Sequence, residues 1–209
     1  MNLKISQPDS GYRINQDSFL LAEFVKFKSS DRIIDLGTGV GIIPVLLGLR
    51  GKYKEMIGLE LQPELARFAR QNVASNHLGN KIKIFEADIK RIKSLFSANS
   101  FDVVVSNPPY IPVNKGRLSP DLSKRMAKQE SNCTIADIVA ASRYLLKNKG
   151  KLYLSYLPDN LLNLLFLLRE ANLEPKQLRF SFSNPKSLAN LILIEAIKNA
   201  NPGLTVEII

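Results

Sequence analysis

The sequence is poor in the residue types that build disulfide bonds and metal sites. Its 209 residues include a single cysteine, Cys133, and a single histidine, His77. One cysteine cannot close an internal disulfide, which fits a reducing cytoplasm, and it cannot build a structural zinc site. We therefore expect no metal in this protein. His77 is expected at an exposed helix end, and neither residue is expected to take part in chemistry.

Long apolar segments are also missing. The longest, LLNLLFLL at 161–168, is much shorter than the roughly 20 residues that cross a bilayer. The first residues, MNLKISQPDSG, contain no long apolar stretch and no small-residue cleavage site, so no secretory signal is expected. With 45% hydrophobic residues the composition is that of an ordinary globular chain. We expect a cytoplasmic protein with no membrane partner.

Acidic residues are in deficit. The chain has 19 Asp and Glu against 29 Lys and Arg, a formal net charge of +10. Such an excess attracts polyanions such as nucleic acid, although it is equally compatible with a surface that keeps the protein soluble. Local clustering favours nucleic acid, because a basic loop at 115–128 directly follows an unusual NPPY segment. The cations expected to contact RNA are Lys115, Arg117, Lys124, Arg125 and Lys128.

Short apolar runs alternate with helical patterns along the chain. Continuous β-branched runs predict strands at 32–36, 56–61, 81–87, 101–106, 151–157, 176–182 and 190–197. Amphipathic patterns predict helices at 41–50, 63–76, 134–148 and 160–173. Since the last two strands follow each other without a helix, they should pair antiparallel. The pattern predicts a doubly wound α/β domain with a mostly parallel sheet and a C-terminal hairpin.

Residues 1–30 precede the first strand and are too few to form a domain of their own, so the main domain is expected at 31–209. The segment contains a predicted helix, with Asp17 or Ser18 as its cap. We expect it to pack on the sheet near the first crossover. Its buried stripe is predicted to consist of Leu20, Leu21, Phe24 and Val25.

Gly37, Gly39 and Gly41 lie between the first strand and the next helix. Glycine allows positive φ and lets the backbone approach a ligand, while the helix N-terminus offers free amides. A dinucleotide-binding fingerprint would need its third glycine at Ile42. The spacing therefore argues against a pyrophosphate-binding NAD site.

Acidic residues follow the next two strands. Glu60 could accept hydrogen bonds from both hydroxyls of a ribose, and Asp88 could accept one from the exocyclic amine of an adenine. Taken singly, Glu60 is more often a solvated strand end and Asp88 a helix N-cap. Together with the glycines, they form a constellation along the carboxyl edge, where sheets of this kind bind ligands.

The order D-L-G-T-G-V-G, G-L-E-L and E-A-D-I resembles the cofactor site of class I S-adenosylmethionine-dependent methyltransferases, over residues 31–197. The resemblance implies a Rossmann-like, seven-stranded sheet with an antiparallel last strand. It also implies that Asp35 and the glycines lie near the methionine part of the cofactor, Glu60 at its ribose and Asp88 at its adenine. The implied cofactor contacts are Asp35, Gly37, Thr38, Gly39, Gly41, Glu60, Leu61, Asp88, Ile89 and Asn107.

The fourth strand ends in Asn107, Pro108, Pro109 and Tyr110. An amine on adenine or in a carboxamide is a poor nucleophile because its lone pair is delocalised. Two acceptors that hold its hydrogens would aim that lone pair at a methyl group. Asn107 Oδ1 and the Pro108 carbonyl, which Pro109 holds extended, can be these acceptors, and Tyr110 can stack on a planar substrate. The alternative is a plain turn that ends the strand, with Tyr110 as rim packing.

NPPY resembles the motif of methyltransferases that act on adenine N6, guanine N2 or glutamine. Segments 11–25, 107–130 and 190–208 are similar to the compact bacterial family that methylates N6 of adenine 37 in the anticodon loop of a valine tRNA. That resemblance implies a tRNA partner and places Gln16 and Asp17 near the cofactor, under an N-terminal segment that covers it. Where this family often has Ala-Arg-His-Glu, residues 127–130 are Ala-Lys-Gln-Glu, so the substrate is expected to differ in detail.

Other substrates and classes stay open. Release-factor glutamine methyltransferases carry a helical N-terminal domain and rRNA guanine-N2 enzymes often a duplicated domain, so both fit this sequence less well. A non-catalytic RNA-binding protein on the same fold is a third alternative. Either a monomer or a homodimer is compatible with the sequence.

Overall fold

A computed structural model describes residues 3–10, 13–108, 133–182, 184 and 187–208. Its helices are α1 (Gln16–Phe24), α2 (Ile42–Arg50), α3 (Pro63–Ser75), α4 (Ile92–Leu95), α5 (Ile135–Leu145) and α6 (Leu161–Glu170). Its strands are β1 (Arg32–Leu36), β2 (Glu55–Glu60), β3 (Ile82–Glu86), β4 (Phe101–Ser106), β5 (Leu146–Tyr156), β6 (Leu173–Phe182), β7 (Ala189–Lys198) and β8 (Thr205–Ile208). Across these ranges, no helix has the length and apolar character needed to cross a membrane.

All the strands in the described part of the chain join one eight-stranded sheet in the order β3-β2-β1-β4-β5-β7-β6-β8. β1 pairs parallel with β2 and β4, whereas β7 pairs antiparallel with β5 and β6. This confirms a Rossmann-like, mostly parallel sheet in which the seventh strand, β7, runs antiparallel to its neighbours, but the described sheet has eight strands where the resemblance implied seven. β8, which the sequence analysis did not predict, extends the sheet by pairing parallel with β6.

The sheet is covered on both faces, as its continuous apolar strands indicated. Consecutive residues of a strand point to opposite faces. On β1, Ile34 packs in a core cluster with Leu145 of α5 and Leu164 of α6, while Ile33 packs in a second cluster with Phe24 of α1. Each fully buried side chain of this size contributes roughly 1.5–3 kcal/mol. Neither face of the central strands β1 and β4 is left free for solvent, so a ligand can reach these strands only at their ends.

Helix α1 begins one residue after Asn15, whose Oδ1 accepts a 3.3 Å hydrogen bond from the Ser18 amide. The prediction of Asp17 or Ser18 as the cap was therefore wrong. A cap must accept from an amide two or three residues further on, and Asn15 is the residue placed to do so. Leu21, Phe24 and Val25 of the predicted stripe are buried and Leu20 is half-buried.

The far end of α1 is attached to α2. The guanidinium of Arg50 donates hydrogen bonds to the carbonyls of Ala22, Glu23 and Val25 and lies 4.8 Å over the ring of Phe27. Carbonyls at a helix C-terminus have no partner within the helix, so the arginine satisfies them. α1 also contacts β5 and β7, which places it on the sheet beside the first crossover, as expected.

The boundary between α5 and β5 differs from the prediction. The helix ends at Leu145 rather than 148, and the strand begins at Leu146 rather than 151. Leu146 pairs with Phe101 and Lys151 with Val103, so β5 carries extra residues between these pairs. Lys149 has a φ of 62° there, typical of a bulge. An irregular strand start of this kind has no alternating pattern by which a sequence could reveal it.

Candidate active site

The strand order brings the predicted site residues to one edge. The carboxyl ends of β3, β2, β1, β4 and β5 lie side by side there. The amide of Ala87 donates to the carbonyl of Glu60 at 2.9 Å, and Ser106 Oγ donates to the carbonyl of Leu36 at 2.7 Å. Asp88, Glu60, the glycine loop and Asn107 are therefore successive neighbours along this edge.

The glycine loop adopts a backbone that only glycine accepts readily. Gly37, Gly39 and Gly41 have φ angles of 76°, 57° and 78°. A Cβ on Gly41 would lie 3.1 Å from the Cβ of Ala69, so this glycine also permits α2 and α3 to approach closely. A Cβ on Gly37 would meet no atom within 4 Å. The loop thus presents bare backbone toward open space at the strand edge.

Glu60 is nearly buried, with 6% of its surface exposed, and it shapes the glycine loop. Its Oε2 accepts from the amide of Gly39 and its Oε1 from the amide of Gln62, both at 2.8 Å. Burial raises the pKa of Glu60, although these backbone hydrogen bonds oppose the rise. A carboxylate oxygen can accept more than one hydrogen bond, so this geometry is compatible with additional donors such as ribose hydroxyls.

Asp35, at 1% exposure, is the most unusual carboxyl of the edge. Its Oδ2 accepts from Thr38 Oγ1 at 2.6 Å, while its Oδ1 is buried and has no partner in the described part of the chain. Burial raises the pKa of Asp35 to about 7, the hydrogen bond from Thr38 opposes the rise, and the charge of Glu60 adds to it. An unpartnered buried acceptor is costly, so the position favours a hydrogen-bond donor from a ligand.

Asp88 acts as a helix N-cap, the structural role that the sequence analysis gave as the alternative to adenine binding. Its Oδ1 accepts from the amide of Lys90 at 2.9 Å and so caps the short 3-10 turn Ile89–Arg91. Asp88 and Ile89 are half-buried at the edge. Leu61, beside Glu60, keeps 41% of its surface exposed and offers an apolar surface at the same edge.

The first turn of α1 reaches Asn107. Asn107 Nδ2 donates to Ser18 Oγ at 2.9 Å and lies 3.5 Å from Asn15 Oδ1. From the other side, Ser155 Oγ of β5 donates to Asn107 Oδ1 at 2.6 Å. Ser18 and Ser155 are buried, at 2% and 0% exposure.

The contacts of Asn15, Ser18 and Ser155 with Asn107 were not predicted. The prediction that Gln16 and Asp17, which neighbour Asn15 and Ser18, lie near the cofactor stays a prediction. Gln16 is exposed, and Asp17 accepts from Asn15 Nδ2 at 2.9 Å.

The rest of the NPPY segment is only partly covered by the structure. Pro108 is buried directly after Asn107. The other predicted residues of the segment and of the basic loop lie outside the described residues, and the predictions for them stand as made: Pro109, Tyr110, Lys115, Arg117, Lys124, Arg125 and Lys128.

The edge fits S-adenosylmethionine. The cofactor carries an ammonium group, a ribose diol and an adenine. The unpartnered oxygen of Asp35 suits the cation, Glu60 offers carboxylate oxygens to the diol, and the exposed side chain of Leu61 offers apolar contact to the base. The open backbone of the glycine loop leaves space between these groups.

Other parts of the described structure are weaker candidates for a functional site. Within the described ranges, no group of three or more His, Cys, Asp or Glu side chains could hold a metal ion. His77 is exposed just after α3, as predicted. Two cavities of about 440 and 280 Å³ lie away from the carboxyl edge and are lined partly by lysines such as Lys26, Lys52 and Lys149. Neither cavity contains a predicted site residue.

Comparison with known proteins gives consistent results. A family model described as a methyltransferase domain matches residues 27–201. A tRNA1(Val) (adenine(37)-N6)-methyltransferase from Flavobacteriaceae bacterium (strain 3519-10) is 24% identical over 199 residues, which cover 88% of this chain and 83% of the relative. An enzyme of the same name from Porphyromonas gingivalis (strain ATCC BAA-308 / W83) is 30% identical over 166 residues, covering 77% of this chain and 64% of that protein.

A solved structure shares the fold. The crystal structure of a protein described as a predicted O-methyltransferase, from Agrobacterium tumefaciens, matches with a TM-score of 0.74 at 21% sequence identity. The match covers 92% of this chain and 86% of that one. At this level of identity the likeness shows the Rossmann-like methyltransferase fold.

Proposed function

The chain belongs to the methyltransferase domain family and uses S-adenosylmethionine as its cofactor, and from this premise we propose that it methylates N6 of an adenine in RNA. The most specific form of the proposal is adenine 37 in the anticodon loop of a valine tRNA. The observation that carries it is the position of Asn107. Its amide lies at the carboxyl end of β4, directly beside the strand whose end carries the glycine loop.

The bound cofactor supplies an electrophilic methyl group. The task of the protein is then to present an adenine amine with its lone pair directed at that methyl group. Asn107 Oδ1 and the carbonyl of Pro108 can accept the two hydrogens of the amine, which favours a tetrahedral nitrogen. Tyr110 supplies a ring on which the base stacks. No residue need act as a base before methyl transfer, because the proton can leave afterwards.

An RNA substrate accounts for the remaining features. The curated relatives are named for adenine 37 of tRNA1(Val). The net charge of +10 and the basic loop at 115–128 suit a phosphate backbone. An adenine in a loop is turned out of its stack at less cost than a paired base. We assign residues 1–30 the role of covering the cofactor, and we place the reaction in the cytoplasm, where tRNA is found.

The test is a methylation assay with three acceptors. The protein is incubated with methyl-labelled cofactor and either total tRNA, a ribosomal small-subunit RNA or a release factor, and labelled nucleosides and peptides are identified by mass spectrometry. We expect N6-methyladenosine in tRNA, mapped next to the anticodon of a valine tRNA. Label in guanosine of rRNA or in a glutamine would replace the proposal by one of the alternatives. Cofactor binding without transfer to any acceptor would favour a non-catalytic RNA-binding protein.

A further inference from the structure

The side-chain amide of Asn107 is held between two buried serines from distant parts of the chain. Ser18 belongs to α1 and Ser155 to β5, and they are separated from Asn107 by 89 and 48 residues. Ser155 lies on the same face of the sheet as Tyr153, two residues before it, and α1 covers this face. The two hydroxyls therefore meet the amide from the helix and from the sheet.

The two serines differ in the role of their hydroxyl. Ser155 donates to Asn107 Oδ1 at 2.6 Å. Ser18 accepts from Asn107 Nδ2 at 2.9 Å and donates its own hydrogen to Asn15 Oδ1 at 3.3 Å. A hydroxyl has a single hydrogen, so this bond to Asn15 leaves Ser18 only as an acceptor toward the amide.

The orientation of Asn15 is itself fixed. Its Oδ1 accepts from the amide of Ser18, and its Nδ2 donates at 2.9 Å to Asp17 Oδ2, an oxygen that accepts when the carboxyl is ionised. Asn15 Oδ1 also lies 3.5 Å from Asn107 Nδ2. If the amide of Asn107 turned by half a rotation, its oxygen would face the oxygen of Asn15, which repels it. The polar groups at the start of α1 thus allow one of the two amide orientations.

We propose that Ser18 and Ser155 are positioning residues that fix which end of the Asn107 amide faces the substrate. The inference rests on the proposed function, in which Asn107 must present its oxygen, and not its NH₂ group, to the adenine amine. The NH₂ group would meet the hydrogens of the amine and repel them. Oδ1 can accept a second hydrogen bond beside that from Ser155, so the hydroxyl can orient the oxygen without replacing the substrate.

The first test compares Ser18→Ala and Ser155→Ala with Ser142→Ala. Ser142 is equally buried, but its hydroxyl donates to Ile138 within α5 and does not contact the site. We expect the two site variants to lower kcat roughly ten- to hundredfold, with little change in cofactor Kd or in KM for RNA. The reason is that a misplaced acceptor stabilises the transition state less well. Ser142→Ala is expected to keep kcat. Site variants with kcat equal to that of Ser142→Ala would overturn the proposal.

A double-mutant cycle separates orientation from general support of the fold. Asn107→Asp places acceptor oxygens at both ends of the group, so its orientation no longer matters. Ser155→Ala should therefore lower kcat much less in the Asn107→Asp background than in the native one. Equal losses in both backgrounds would show that Ser155 only supports the local structure, and the proposal would fall.

A substrate-free measurement keeps this inference distinct from the proposed function. The NMR signal of the Asn107 side-chain amide is identified by its disappearance in Asn107→Ala. It should shift in Ser18→Ala and Ser155→Ala and stay in place in Ser142→Ala. If the wild-type protein methylates no adenine but the signal behaves in this way, the proposed function fails and the orientation of the amide stands. If the signal is unmoved in both site variants, the orientation proposal fails whatever the substrate.

Discussion

The amide of Gly39 donates a 2.8 Å hydrogen bond to Oε2 of Glu60, and this bond joins the loop after β1 to the end of β2. One carboxylate thereby serves two purposes. It holds a glycine loop in a left-handed backbone conformation, and it lies where the ribose of the cofactor is expected. The shape of the loop and the cofactor affinity should therefore change together.

Replacing Glu60 by glutamine should weaken cofactor binding. In the wild type, both carboxylate oxygens of Glu60 accept from backbone N–H groups. A glutamine has an NH₂ group in place of one oxygen, so either Gly39 or Gln62 would lose its acceptor. A charge-assisted hydrogen bond from a ribose hydroxyl to the carboxylate contributes about 1.5–3 kcal/mol, so its loss corresponds to roughly a ten- to hundredfold rise in the cofactor Kd. Titration calorimetry with S-adenosylmethionine measures this Kd. Glu86→Gln, the same change at the end of β3, should leave Kd unchanged, and equal Kd values for the two variants would contradict the role of Glu60.

Replacing Asp35 by asparagine should change how stability depends on pH. The pKa of Asp35 is raised from 3.8 to about 7 in the folded protein, so the native state holds a proton that the unfolded chain has released. The contribution of Asp35 to stability is therefore full at low pH and is lost as the pH rises through about 7. Without cofactor, the Tm of Asp35→Asn minus that of the wild type should increase from pH 5 to pH 8. Asp9→Asn, at an exposed aspartate, is the control, and a pH-independent difference for Asp35→Asn would refute the prediction.

Removing the amide of Asn107 should separate binding from turnover. Asn107→Ala is expected to lower kcat by roughly 10²–10³, as for other lost transition-state acceptors or donors, while cofactor Kd stays nearly constant. Single-turnover methyl transfer and calorimetry provide the two values. Asn148→Ala, at an exposed position of β5, should keep both. Full turnover in Asn107→Ala would rule out its proposed role.

Charge reversal in the basic loop should weaken RNA binding in a salt-dependent way. The double variant Lys124→Glu and Arg125→Glu is expected to lose more affinity at low salt than at high salt. Each lost phosphate contact makes the negative slope of log K against log salt less steep by about 0.9. Filter binding at several salt concentrations gives the slope. The control is the double variant Lys52→Glu and Lys54→Glu, which has the same net charge but changes two exposed lysines before β2. If both double variants show the same slope, the loop is not the RNA-binding surface.

Much of the sheet could be predicted from sequence because its central strands are buried on both faces. The bounds of β1 and β4 agree with the prediction at both ends, since RIIDL and FDVVVS are apolar between polar or turn-forming neighbours. β8 had no such pattern. Its residues are mostly exposed, and pairing of Val206 with Leu178 on β6, not burial, holds the strand in place.

Residues of the candidate site could be predicted where the residue type and its position after a strand indicate a function. They were missed where their role depends on a tertiary contact. The glycines, Glu60 and Asn107 were predicted to lie together because strand ends in a parallel sheet share an edge, and the structure places them there. Ser155 could not be recognised, because a serine within an apolar strand resembles a small core residue. Its bond to Asn107 exists because β5 lies next to β4 in the sheet.

The position of β7 between β5 and β6 has a consequence for folding. β6 precedes β7 in the chain but lies beyond it in the sheet, so the strand that follows β5 in the sequence is not the sheet partner of β5. Until β7 arrives, the edge of β5 lacks its partner, and pairs such as Leu154 with Ile194 cannot form. Unpaired apolar edges invite association with other chains. A nascent or truncated chain that lacks β7 should therefore depend on chaperones, and substitutions that slow the docking of β7 should reduce yield before they reduce activity.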